Sequence, residues 1–175
     1  LSINFKNLNR LDCQRERKSN CGGDWARGTL ISNKETFPIK IRAKGDRAIH
    51  RIDLDNMSFK VDIRGTKRYR GMEEFSIQKP IIRNYTSEIL VSELIKESNI
   101  ISPRHSYIKL YLNGKYLGLR HLEESYSREL IEANERRYGP VYGLDENTVL
   151  PLENYGLYYK KYQLQDSKNW TKNNL

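Results

Sequence analysis

Lys60 sits in the run Ser58-Phe-Lys-Val-Asp-Ile-Arg-Gly, where Phe59, Val61 and Ile63 alternate with Lys60, Asp62 and Arg64. A period of two is the pattern of a half-buried strand with its charges on one face. A strand lysine that meets a helix carboxylate can hold nucleotide phosphates. Glu93 is the matching acid: it lies within a helical pattern, beside the apolar stripe. Two unconnected surface charges are the plain alternative. Arg42 and Lys44 stand in Ile41-Arg-Ala-Lys-Gly-Asp-Arg, a basic strand running into a glycine turn. Lysine and backbone N–H groups together cradle phosphates, although a charged β-turn explains the same residues. Glu123 and Glu124 follow a hairpin and can accept hydrogen bonds from a nucleotide or a sugar hydroxyl. Acids also favour the positive end of a helix, and that role is expected for one of the two. His50, His105 and His121 are scattered without metal-ligand spacing. GxSxG, P-loop and HExxH patterns are absent.

The elements that must position these residues are legible in outline. Residues 1–28 are polar and basic and read as an irregular lead-in with one short strand at most. Residues 29–83 read as β-rich, with strands around Phe37–Arg42, Ser58–Ile63 and Phe75–Lys79. Asn84 is the expected N-cap of a helix over 85–98, with Ile89, Leu90, Leu94 and Ile95 as its buried face and Asn99 in the left-handed position after it. Ile108, Leu110 and Leu112 alternate with Lys109 and Tyr111, then Asn113-Gly114 signals a type I′ hairpin turn. A second helix is expected over 126–137, ending at Tyr138-Gly139-Pro140. Residues 153–175 lack periodicity and read as a weakly ordered tail. The succession is α+β with an antiparallel sheet, one inserted helix and a following helix.

The chain has 175 residues, 37% of them hydrophobic, and a mean hydropathy of −0.80. Its net charge is +9, from 31 Lys and Arg against 22 Asp and Glu. That balance suits an acidic partner, although interspersed carboxylates fit a merely solvated basic surface as well. Twelve tyrosines fit a half-buried core and rim better than base stacking, so a nucleic-acid partner is not expected. Cys13 and Cys21, with seven residues between them, suit either a disulfide in an exported protein or two free thiols. No apolar run approaches a membrane span. Compartment stays open, with export one option. Asn56-Met-Ser, Asn84-Tyr-Thr and Asn169-Trp-Thr fit glycosylation sequons.

Phe75-Ser-Ile-Gln-Lys-Pro-Ile-Ile-Arg-Asn-Tyr, the helix Ser87-Glu-Ile-Leu-Val-Ser-Glu-Leu, the approach Ser102-Pro-Arg-His and the hairpin Leu112-Asn-Gly-Lys-Tyr-Leu-Gly with its terminal Glu123 come in a specific order. Together they resemble the CotH-like proteins, named for spore coat protein H, over about residues 37–146. The resemblance implies an atypical kinase small lobe over 29–152, binding ATP with Mg²⁺ and serving protein phosphorylation. It makes Lys60 the phosphate-contacting lysine, Glu93 its helix partner, Arg42 and Lys44 a cover over the phosphates, and 120–123, ending in Glu123, the edge that meets adenine. No HRD or DFG pattern and no downstream Asp motif occurs before Leu175. Without such carboxylates the metal has no protein ligands and the attacking hydroxyl no base. This chain is therefore not expected to catalyse transfer alone. Its expected partners are a protein substrate and a second lobe. The alternative reading is a non-catalytic basic domain that binds a protein or an anionic polymer.

Overall fold

The computed structural model describes residues 1–45, 47–137 and 139, and the backbone of 142–143 and 163–164. The chain divides into two units, Leu1–Glu135 and Arg136–Leu175. In the second, β7 (Tyr142–Gly143) pairs antiparallel with β8 (Gln163–Leu164). The expected tail over 153–175 otherwise lies outside the described residues.

The first unit opens with α1 (Phe5–Arg15), followed by β1 (Ala26–Ser32), β2 (Glu35–Lys44), β3 (Ser58–Ile63) and β4 (Glu74–Gln78). A 3-10 turn, Pro80–Arg83, leads into α2 (Ser87–Glu97). Then come β5 (His105–Leu112), β6 (Lys115–Glu124) and α3 (Arg128–Ala133). Six strands form one antiparallel sheet in the order β1-β2-β3-β4-β6-β5. This is the expected α+β class, compatible with the small lobe of a kinase. The alternation read from the sequence sorts the two faces. Phe37, Ile39 and Ile41 of β2, Phe59, Val61 and Ile63 of β3, and Phe75 and Ile77 of β4 are buried in one core. Tyr69 completes it, 5.7 Å from the Phe37 ring and 5.5 Å from the Phe75 ring.

Several local expectations are corrected. The lead-in is not irregular, because residues 5–15 form α1. Asn4 caps that helix by accepting from the Asn7 N–H, and Leu11 anchors it in the core. Cys13 and Cys21 form a disulfide, which returns the chain onto α1 after its last turn. Asn84 is not the cap of α2. It sits at φ 48° as the residue that closes the 3-10 turn. The buried face of α2 is also rotated from expectation: Ser92 is buried, whereas Leu90 and Leu94 are 62% and 67% exposed. Ser92 Oγ bonds Ser102 Oγ and the Pro103 carbonyl, both at 2.8 Å, and this fixes the helix phase. The second helix is shorter than 126–137 and begins after Ser127, whose side chain caps it. Asn99 does adopt the left-handed conformation, at φ 59°.

The hairpin turn forms as the Asn-Gly pair requires, with φ 49° at Asn113 and 85° at Gly114. Asn113 also gathers the chain start. Its side chain accepts from the Ile3 N–H at 2.7 Å and donates to the Ile3 carbonyl at 2.8 Å. Ser2 bonds Thr29 of β1 in both directions at 2.8 Å. Residues 1–3 thus tie the first strand to the turn of the last hairpin. Asn113→Ala removes both side-chain bonds and forces a Cβ residue without local compensation into positive φ. The expected loss is about 1–3 kcal/mol of stability, measured as a lowered urea midpoint with an unchanged slope.

Candidate functional site

Sheet register places the polar candidates in one line. Arg42 opposes Lys60, Lys60 opposes Ser76, Ser76 opposes Glu123, and Glu123 opposes His105. The row crosses β2, β3, β4, β6 and β5 on the face opposite the core. Lys44 lies two residues beyond Arg42 on the same face. Four of the five candidate residues, Arg42, Lys44, Lys60 and Glu123, therefore share one surface although up to 81 positions separate them in the chain.

Glu93 is the exception. Its carboxylate pairs with Lys96 on the exposed side of α2, while Lys60 Nζ pairs with Glu74 at 2.8 Å. The expected Lys60–Glu93 pair does not form. The reason is helix phase: Ser92 takes the buried position, against Ser102 and Pro103, so its neighbour turns about 100° away. Nor does either terminal acid of the hairpin start a helix, because both belong to β6. Glu124 is fully buried against Arg104, which holds it with Nε at 2.7 Å and Nη2 at 2.5 Å.

Glu123 is the hub that the sequence did not reveal. It accepts from Gln78 Nε2 at 2.7 Å and from Arg83 Nη2 at 2.6 Å and Nε at 3.1 Å, and Lys44 Nζ lies 3.6 Å away. Burial alone would raise its pKa, but Lys44 and Arg83 outweigh burial and hold it below the usual carboxylate range. Burial lowers the Lys44 pKa, and Glu123 only partly opposes that. Arg83 extends the network to Glu88 of α2 at 3.3 Å. A cavity of about 560 Å³ opens beside it, lined by Arg83, Glu88, Ser92, His105 and Glu123 among others. Sequence reasoning missed Arg83, Gln78 and Glu88. Arg83 carried a signal, since it follows Pro80 at the turn into the helix, but nothing in the sequence aims it at Glu123.

Gly45 shapes the other end of the row. It adopts φ 92°, and a Cβ there would fall 2.2 Å from the His50 ring. Only glycine lets the β2 turn fold down onto His50, whose Nδ1 lies 3.0 Å from Ser58 Oγ. Next to Glu123, His105 and His121 stack with ring centroids 5.1 Å apart, and His105 Nδ1 lies 3.2 Å from His121 Nε2. A hydrogen bond between them needs an N–H on one of these two nitrogens and an unprotonated lone pair on the other. Burial first, and then the neighbouring His105, lowers the His121 pKa to about 4.

Among the described residues, no group of three or more His, Cys, Asp or Glu side chains is placed to hold a metal ion. No helix among them is long and apolar enough to cross a membrane.

A six-stranded antiparallel sheet with a helix between its fourth and fifth strands, carrying a cationic row on its polar face, defines an α+β domain with a small-lobe arrangement. The family model described as "CotH kinase protein" matches residues 41–174, and the chain belongs to that family. No curated protein matches the sequence.

The histidine pair sets a pH dependence. His121 is neutral when folded down to about pH 4 but takes up a proton near pH 6.5 when unfolded. The unfolded state thus binds more protons in that window, so stability falls as pH drops from about 6.5 toward 4. Glu73 acts in the opposite sense. Its hydrogen bond to Glu129, helped by burial, raises its pKa to about 7, so its contribution is lost as pH rises from 4.5 through 7. The difference between wild type and His121→Gln isolates the first effect. Denaturation at pH 7, 6, 5 and 4 should show wild-type stability falling relative to the variant, with about one extra proton taken up on unfolding.

Proposed function

We propose that this domain is the nucleotide-binding lobe of a CotH-type protein kinase, and that the Arg42–Lys60–Ser76–Glu123 row with Lys44 is its phosphate cradle. The shared surface of these residues supports the reading. Three cations converge on one face, and Glu123 and Glu74 hold two of the ammonium groups in place. Their positive charge matches a polyphosphate. Arg83 keeps the Glu123 carboxylate ionised and oriented. Glu123, rather than Glu93, is then the acid that positions a cradle lysine, and that lysine is Lys44.

ATP would supply the transferable phosphoryl group, and Mg²⁺ would neutralise its charge as it leaves. The described residues fit the phosphates better than the metal. With no cluster of carboxylates among them, they would meet Mg²⁺ through the nucleotide. Transfer to a protein hydroxyl belongs to a protein that also supplies metal-binding carboxylates and a base.

Calorimetric titration with ATP and Mg²⁺ tests the cradle. Lys44→Ala and Lys60→Ala should each weaken binding about tenfold or more, the loss of one charge-assisted contact of about 1.5–3 kcal/mol. Glu93→Gln should leave affinity within twofold. The reading fails if neither lysine variant changes the affinity, or if Glu93→Gln abolishes binding.

A further inference from the structure

Opposite the hairpin edge of the sheet, the outer face of β1 and β2 carries a second cationic cavity, separate from the cradle. It encloses about 560 Å³, and Arg10, Arg27, Lys40 and Arg64 line it together with Trp25. No carboxylate lines it among the described residues. Arg10 spends its hydrogen bonds on the Cys21 and Trp25 carbonyls, so its charge stays uncompensated there. Lys40 has Asp62 at 3.2 Å. Arg27 and Arg64 are exposed, and among the described residues neither side chain meets an acid.

We propose that this cavity docks an acidic segment of a partner protein, with Asp or Glu side chains seated on Arg27 and Arg64. Guanidinium forks take carboxylates in paired hydrogen bonds, which gives geometric selectivity as well as charge. Gly28, Pro38 and Ile39 supply a small-residue and apolar floor for the peptide backbone. The geometry disfavours a nucleic acid. Trp25 is the aromatic ring of the site, and Arg42 at 5.0 Å and Lys40 at 5.9 Å already lie over it. A base would have to displace them to stack. Asp62 also interrupts the charge track that a phosphate backbone follows.

Arg42 borders both this cavity, through Trp25, and the proposed cradle, through Lys60. A docked acidic segment would therefore lie beside the nucleotide site if the cradle reading holds. The docking itself does not depend on that reading, and its test contains no nucleotide.

Fluorescence anisotropy with a labelled ten-residue Asp/Glu-rich peptide reads the interaction at about 50 mM salt. Saturable binding is expected, and the matching Asn/Gln peptide should not bind. Arg27→Glu with Arg64→Glu should weaken binding at least tenfold, whereas Lys109→Glu at the opposite sheet edge should not change it. If the double reversal alters the far-ultraviolet circular dichroism, Arg27→Gln and Arg64→Gln made singly carry the same test, each with a threefold or greater loss expected. Unchanged binding in folded variants overturns the proposal. So does an oligonucleotide of equal charge that displaces the peptide with equal affinity.

Discussion

Glu123 has three kinds of partner, and the polar half of this domain is organised around it. Gln78 reaches it from β4, Arg83 from the 3-10 turn and Lys44 from β2. β2, the β4 strand with its following turn, and β6 are separated in sequence and come together because β6 pairs with β4 in the sheet. An ionised carboxylate in a half-dry setting is stable only while its cations stay in place. Removing Arg83 would leave that charge under-compensated, at a cost of up to about 3–5 kcal/mol. The position of α2 is linked to the same carboxylate, because Arg83 also meets Glu88 in its first turn. Burial is tolerated here because paired hydrogen bonds satisfy both oxygens.

The two faces of the sheet divide the work. One is a continuous apolar core, in which Phe59 and Phe75 are fully buried. The other has buried polar groups and exposed charges. Buried polar atoms are not all paired within it: Gln78 Oε1 and His121 Nδ1 have no protein partner. Unpaired buried acceptors and donors call for water or a ligand, since leaving them dry costs about 1–3 kcal/mol each. Both atoms sit on residues that oppose each other across β4 and β6, beside Glu123.

Family membership and geometry carry different parts of the functional argument. The match over residues 41–174 assigns the CotH kinase family. The row across the sheet shows which polar side chains share one face, and it changes the pairing that the family resemblance implied. By sequence alone Glu93 lies mid-helix beside Leu94, next to the apolar stripe that includes Leu90. In the folded chain those leucines face outward, and the helix buries Ser92 against Ser102 and Pro103.

Much of the sheet was legible from residue order alone, because a strand's alternation is local. Phe59, Val61 and Ile63 face the core for the same reason that Lys60 and Asp62 face away. The Asn113-Gly114 turn was equally local, since positive φ at two successive residues selects those types. Helix α1 was less visible: its polar surface hid a capped helix that only Leu8 and Leu11 attach to the core. The site divides along the same line. The sequence by itself determined that Arg42, Lys44, Lys60 and Glu123 are polar residues at strand positions. Tertiary structure alone decided which of them meet. A lysine's partner depends on strand order, register and helix phase, and here a one-residue difference in phase on α2 separates Glu93 from the sheet while strand order brings Glu123 to Lys44.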